Sequence, residues 1–199
     1  MKIYDISQEV LGCRVYPGDP APQKRVLSSI KAGDLYNLTA FSMCAHNGTH
    51  IDAPSHFLGD GKSVDAMSLD HFVGSAFVAE HRGVLTAEDA ARIIKLAAEG
   101  NSAARRILIK GDAEVSLEAA EVFADAKILL LGVESQSVGP ENAPMAVHKM
   151  LLSAEVALLE GIRLDDVAEG VYFLSAAPLN LSGADGSPCR AILIDESAE

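Results

Sequence analysis

Three histidines and one aspartate fall within eleven residues of this chain, in His46-Asn47-Gly48-Thr49-His50-Ile51-Asp52-Ala53-Pro54-Ser55-His56. Imidazole and carboxylate are the ligands that borderline divalent cations such as zinc accept, and one carboxylate can bridge two ions. A metal site is the chemistry this density of donors predicts. A run of surface histidines is the plainer alternative, but it gives no reason for the regular spacing or for the bends built into the segment.

Spacing constrains the local structure. On a helix His46 and His50 would share a face while Asp52 and His56 drift around it, and Gly48, Thr49 and Pro54 all oppose helix formation. In a strand the even positions 46, 50, 52 and 56 point one way, yet at about 3.3 Å per residue His46 and His50 would stand roughly 13 Å apart. One ion cannot span that distance. Gly48 and Pro54 suit a bent chain, so the segment reads as a strand end curling into a loop whose side chains converge.

The same residues carry a family resemblance. The segment is similar to the H-x-G-T-H-x-D-x-P-x-H signature of the metal-dependent cyclase-like hydrolases, which include bacterial kynurenine formamidase. Tyr4-Asp5-Ile6-Ser7, Tyr16-Pro17-Gly18-Asp19-Pro20 and Asp185-Gly186-Ser187-Pro188-Cys189-Arg190-Ala191 resemble further landmarks of that family, so the likeness spans nearly the whole chain. It implies that His148 and Glu160 complete a two-metal site. His46, His50 and Asp52 would hold one ion and Asp52, His148 and Glu160 a second, with Asp52 bridging. Taken alone, His148 would be an ordinary helix histidine and Glu160 a solvated acid.

On one continuous helix the twelve residues from His148 to Glu160 would add about 18 Å of rise and about 120° of rotation. The pair can meet only if the chain turns between them. Residues 153–155 are a plausible turn, followed by an apolar run at 156–159 that suits a buried strand. Zinc and manganese both suit the donor set, as does iron.

The chemistry implied is hydrolysis of an amide or related acyl bond, since bound divalent ions acidify water and polarise a carbonyl. The resemblance leaves His56 free of metal, where it can serve as general acid and base. Ligation of an ion, or capping of the loop, is its alternative role. N-formyl-L-kynurenine, the formamide of tryptophan degradation, is the substrate that the resemblance implies. Other cyclic amides, a cyclase or dehydratase reaction, or a non-catalytic metal-binding domain are the competing readings. The chain departs from the formamidase pattern at Tyr16, where a tryptophan is expected, and it contains no tryptophan at all. Tyr16, Phe41 and Phe57 are therefore the candidates for contact with an aryl substrate. Glu134 and Gln136 also replace an expected aspartate, proline and serine.

Composition narrows the remaining choices. With 199 residues, 49% hydrophobic and 22% charged, the expectation is a single domain over residues 1–199. A net charge of −12 opposes nucleic acid or anionic membrane as partners. There is no apolar run near the roughly 20 residues of a membrane helix, and the start lacks a secretory pattern, so a cytoplasmic location is expected. A homodimer or higher homo-oligomer is implied by the resemblance. Cys13, Cys44 and Cys189 lack the pairing of a disulfide framework or a thiolate zinc site, and Cys44 is better read as a packing thiol than a nucleophile. Gly61-Lys62-Ser63 lacks the earlier glycine of a phosphate loop. Asp60, Asp65 and Asp70 read as solvated acids, and His71 and His81 as packing or surface residues.

The hydrophobic patterns predict an α/β fold, in the family's terms a swivelling β/β/α domain with a mixed central sheet. Strands are predicted at 1–10, 24–30, 35–45, 76–81, 107–109, 128–133, 171–176 and 191–194, with 35–45 delivering the histidine loop. Thr86 and Asp89 form a capping-box pattern opening a helix through Ala98, with Gly100 as its stop. Ser116 precedes a second helix that ends near Ala124.

Overall fold

A computed structural model of the protein describes residues 1–101, 104–140 and 143–196. The strands are β1 (Lys2–Asp5), β2 (Gln23–Ser28), β3 (Leu38–Ser42), β4 (His50–Asp52), β5 (Val73–Glu80), β6 (Gly83–Leu85), β7 (Arg106–Lys110), β8 (Ala113–Val115), β9 (Leu130–Val133), β10 (Ala157–Glu160), β11 (Gly170–Ser175), β12 (Gly186–Pro188) and β13 (Ile192–Asp195). The helices are α1 (Ala87–Gly100), α2 (Leu117–Asp125) and α3 (Met145–Ser153). Among the described residues, no helix is long and apolar enough to cross a membrane.

Among the described residues nine strands form one mixed sheet in the order β1-β13-β11-β5-β7-β9-β10-β4-β12. Its centre, β5-β7-β9-β10, is parallel, and both flanks are antiparallel. The central strands alternate between two cores, as a sheet covered on both faces requires. Ile107, Ile109, Leu131, Val133 and Leu158 pack with Ile93, Phe123 and Leu151 of the helices. Leu108, Leu130, Leu159 and Ile51 pack with Phe72 and Leu193 on the opposite face. Glu160 follows Leu158 by two residues and so shares the face that the helices cover.

Local signals explain the helix boundaries. Thr86 and Asp89 make the expected capping box, the threonine hydroxyl accepting from Asp89 N while the Asp89 carboxylate accepts from Thr86 N. The helix runs through Gly100 itself and closes at Asn101, one step beyond the predicted stop. Ser116 caps α2 by accepting from Ala119 N. After α3 the chain turns at Ala154 and Glu155, the latter at φ +59°, and enters β10, the helix, turn and strand that the distance argument requires.

One expectation fails in an informative way. The strand predicted at 35–45 shrinks to β3, which pairs only with β2 in a hairpin separate from the main sheet. That hairpin is largely solvent-exposed, so its alternating pattern covers no core of this chain. The central sheet instead receives the histidine segment directly, as β4 between β10 and β12. The short strands β6, β8 and β12 carry too few residues to show a period in the sequence.

Two glycines set how β4 and β10 meet. Gly48 has φ +64° and Gly161 φ +69°. A Cβ on Gly161 would stand 2.3 Å from the Gly48 carbonyl oxygen. Gly161→Ala is therefore expected to destabilise the fold by about 2 kcal/mol or more, against about 1 kcal/mol for loss of the α1 cap in Thr86→Ala. Urea unfolding of the two variants beside the parent protein checks both the size and the order.

Candidate metal centre

The register of β4 and β10 brings the first donors together. Glu160 lies directly opposite His50, and Leu158 opposite Asp52, in antiparallel pairing. Directly opposed residues point to the same face, so His50, Asp52 and Glu160 share the helix side of the sheet. His148 reaches this cluster from α3, where Val147, Leu151 and Leu152 anchor the helix in the core. His46 arrives through the turn at Gly48. His50, Asp52, His148 and Glu160 are each no more than 3% exposed.

Hydrogen bonds orient each ring. His50 Nδ1 donates to the Gly48 carbonyl at 3.0 Å and His148 Nδ1 donates to the Pro144 carbonyl at 2.8 Å. A carbonyl only accepts, so Nε2 is the nitrogen left for other contacts on both histidines. His50 Nε2 lies 3.3 Å from Asp52 Oδ1 and 3.5 Å from Glu160 Oε2. His148 Nε2 lies 3.2 Å from Glu160 Oε1 and 3.7 Å from Asp52 Oδ2. His46 Nδ1 lies 2.7 Å from Asp52 Oδ1. Backbone-pinned imidazoles of this kind are the usual outer support of metal-ligating histidines.

Two observations fit this cluster to cations. Among the described residues Asp52 Oδ2 is buried without a hydrogen-bond partner, which is costly for a carboxylate oxygen unless a positive charge stands near it. The donor atoms of His50, Asp52 and Glu160 lie within 4.8 Å of one another, as do those of His46, Asp52 and His56. Asp52 belongs to both groups. The grouping differs from the expected one, because His56 closes the second set and His148 joins through its contacts to Asp52 and Glu160.

The electrostatics follow from burial and proximity. Burial favours a neutral His50, but hydrogen bonds and charge from Asp52 and Glu160 outweigh it and push the ring up to about 10 from its ordinary 6.5. Burial works against His46 and His148 in the same way, and Asp52 for the one and Glu160 for the other raise them on balance. Burial would raise Asp52, yet His46 and His50 hold its carboxyl well below the usual carboxylate range.

His50, His148 and Glu160 line a cavity of about 290 Å³ with His46, His56, Tyr16, Phe57, Cys44, Asp19 and Gln136. Tyr16 and Phe57, two of the three aromatic candidates, thus lie on this cavity wall. Phe41 does not. It is 62% exposed on β3 and lines a different cavity of about 570 Å³ with Met43 and Leu179, because the hairpin leads its side chain away from the metal-side face. His71 and His81 bond to the backbone carbonyls of Ser68 and Val84.

Two residues at the site escaped sequence reasoning. Gln136 donates to the carbonyls of His46 and Gly48 at 3.1 and 3.0 Å, fixing the bend of the histidine segment. Asp185 Oδ2 receives His46 Nε2 at 2.9 Å and His56 Nδ1 at 3.1 Å. Gln136 gave no signal beyond its departure from the family pattern, whereas Asp185 opens the Asp-Gly-Ser-Pro segment already singled out.

Known proteins resemble the chain throughout. The family model described as putative cyclase matches residues 4–140. The kynurenine formamidase of Erythrobacter litoralis strain HTCC2594 is 34% identical over 205 aligned residues, covering 96% of this chain and 93% of that protein. The kynurenine formamidase of Bacillus anthracis is 32% identical, covering 96% and 97%. A solved structure described as a potential metal-dependent hydrolase with cyclase activity superposes with a TM-score of 0.81 at 29% identity, covering 99% of each chain.

Linkage fixes the expected pH behaviour. A ring raised in the fold stabilises it fully below its unfolded value and loses that contribution as pH rises through the folded value. Chelator-treated protein should therefore lose thermal stability between pH 6.5 and about 10, the interval over which His50 titrates. Cation binding must displace the same protons, so metal affinity should rise with pH. Calorimetric titration with zinc at neutral pH, in buffers of differing ionisation enthalpy, should show net proton release; binding without release would contradict this account.

Proposed function

Because the chain belongs to the putative cyclase family, we propose that it is a metal-dependent amidohydrolase that cleaves N-formyl-L-kynurenine to L-kynurenine and formate. The observation that carries the reading is the convergence of four histidines and Glu160 on the wall of one small cavity, with Asp52 buried among them. The full-length similarity to kynurenine formamidases supports the substrate.

His46, His50, Asp52, His148 and Glu160 would hold divalent ions, two per chain, with zinc the first candidate and manganese the second. Support for a shared Asp52 comes from its two oxygens, Oδ1 toward His46 and His50 and Oδ2 toward His148. When bound, such ions acidify water and polarise a carbonyl. The chain's own groups do the rest. His56 takes the proton of the attacking water and delivers one to the nitrogen of the departing aryl amine, a role worth about 10² to 10⁴ in rate. Tyr16 and Phe57 offer faces to the aryl ring, and the cavity's 290 Å³ suits a small ligand. No side-chain nucleophile takes part.

The same reading makes the chain a homodimer. The β2–β3 hairpin exposes Val26, Ile30, Leu35, Tyr36 and Phe41, with Leu35 at 95% and Phe41 at 62%. A solitary two-stranded hairpin is marginal in water, and apolar surface of this extent suits burial against a second copy.

Metal-loaded protein is expected to hydrolyse N-formyl-L-kynurenine with kcat/KM of about 10⁴ M⁻¹s⁻¹ or above, and to lose that turnover to a chelator. Loaded protein that leaves the formamide intact would overturn the substrate and redirect the search to other amides and lactams. His56→Ala should keep its metal content by elemental analysis while turnover falls by about 10² to 10⁴; loss of metal would make His56 a ligand instead. Light scattering should give a dimer mass for the parent and a monomer for the Leu35→Asp, Phe41→Asp double variant.

A further inference from the structure

A single carboxylate oxygen outside the expected ligand set holds two histidines. Asp185 Oδ2 stands 2.9 Å from His46 Nε2 and 3.1 Å from His56 Nδ1. The two rings lie stacked, with centroids 4.0 Å apart and planes inclined by 26°. A carboxylate is acceptor-only, so a neutral His56 must carry its proton on the nitrogen facing Asp185. His46 has a carboxylate oxygen at each nitrogen, Asp52 Oδ1 at 2.7 Å and Asp185 Oδ2 at 2.9 Å, so the pair fixes its orientation rather than one tautomer. His56 is protonated on Nδ1, which leaves Nε2 as its basic atom.

The backbone fixes the carboxylate relative to β4. Ala53 N donates to the Asp185 carbonyl at 2.9 Å, and Gly186 pairs with Asp52. A Cβ on Gly186 would meet His46 Cε1 at 2.6 Å and the Ile51 carbonyl oxygen at 2.7 Å. Only glycine lets the His46 ring lie this close to β12. The Asp185 side chain itself is half exposed, 50% by area, so its removal opens no cavity in the core.

We propose that Asp185 is a positioning residue that selects the Nδ1–H tautomer of His56. The catalytic consequence rests on the hydrolase reading above, whereas the tautomer assignment stands without it. An imidazole free in water favours the proton on Nε2, the wrong form for a base that must act through that atom. The carboxylate reverses the preference and fixes the ring in one orientation, as outer partners of functional histidines do.

Long-range ¹H–¹⁵N correlation spectra of the full chain, treated with chelator at alkaline pH, test the tautomer. The parent protein should show His56 as Nδ1–H and Asp185→Ala should show it as Nε2–H. In the loaded enzyme Asp185→Ala should lower kcat about 10- to 100-fold with KM little changed, and Asp185→Asn, which keeps an acceptor oxygen, should recover part of the loss. On a His56→Ala background the further Asp185→Ala change should cost less than about twofold, because the two residues act as a unit. Parent spectra with His56 as Nε2–H would overturn the assignment. Additive losses in the double variant would overturn the positioning role. Parent protein that ignores formamides would overturn the substrate reading while the spectra still decide the tautomer.

Discussion

Two carboxylates, Asp52 and Glu160, sit in the interior of this protein almost without solvent. A buried carboxylate is tolerable only with hydrogen bonds and a compensating positive charge, because desolvation otherwise costs several kcal/mol per ion. Three surrounding imidazoles, His46, His50 and His148, supply that charge when protonated, and their raised affinities for protons are the direct result. Divalent cations would satisfy the same carboxylates and leave the imidazoles neutral. Protons and metal ions thus compete for one cluster, and the bare Oδ2 of Asp52 faces the space between Asp52 and His148.

Much of the surrounding fold serves to hold those carboxylates in place. Direct pairing of β4 with β10 aligns His50 with Glu160, and a register slip of one residue would send every donor on β4 into the opposite apolar face. Gly48 and Gly161 allow the two chain segments to touch where a side chain would force them apart. Gln136 ties the His46 and Gly48 carbonyls of the bend, and the Gly48 carbonyl in turn orients His50. The helices contribute a single histidine, His148, but it comes from an anchored helix whose N-cap carbonyl at Pro144 fixes the ring. Rigid elements rather than loops position four of the donors, the condition for a cluster held to within fractions of an ångström.

Outside this cluster the chain is arranged for access. His56 closes the 3₁₀ turn begun by Pro54 and shares the cavity wall with Tyr16 and Phe57. Its partner Asp185 comes from the far end of the sequence, through β12 at the sheet edge. The chain belongs to the putative cyclase family, and the kynurenine formamidases it resembles are similar to it over nearly their full length. Tyr16 stands at the cavity in place of the tryptophan expected from the family pattern, keeping an aromatic face and adding a hydroxyl.

The sequence by itself determined where metal-type donors are concentrated and roughly how the chain is built. The donors in the segment from His46 to His56 are dense and regularly spaced, and the caps at Thr86 and Ser116 use local hydrogen bonds. Both are short-range properties, readable from neighbours along the chain, whereas the break between His148 and Glu160 follows from distance only once the family resemblance requires the two to meet. What only the tertiary structure decided is which donors share an oxygen, since that depends on the register of strands more than a hundred residues apart. Phe41 was misplaced for the same reason: alternation marks a strand but does not say whether its apolar face meets this chain's core or lies exposed. Asp185 was seen only as part of a motif, because its role exists solely through contacts with His46 and His56 across 139 and 129 residues of sequence.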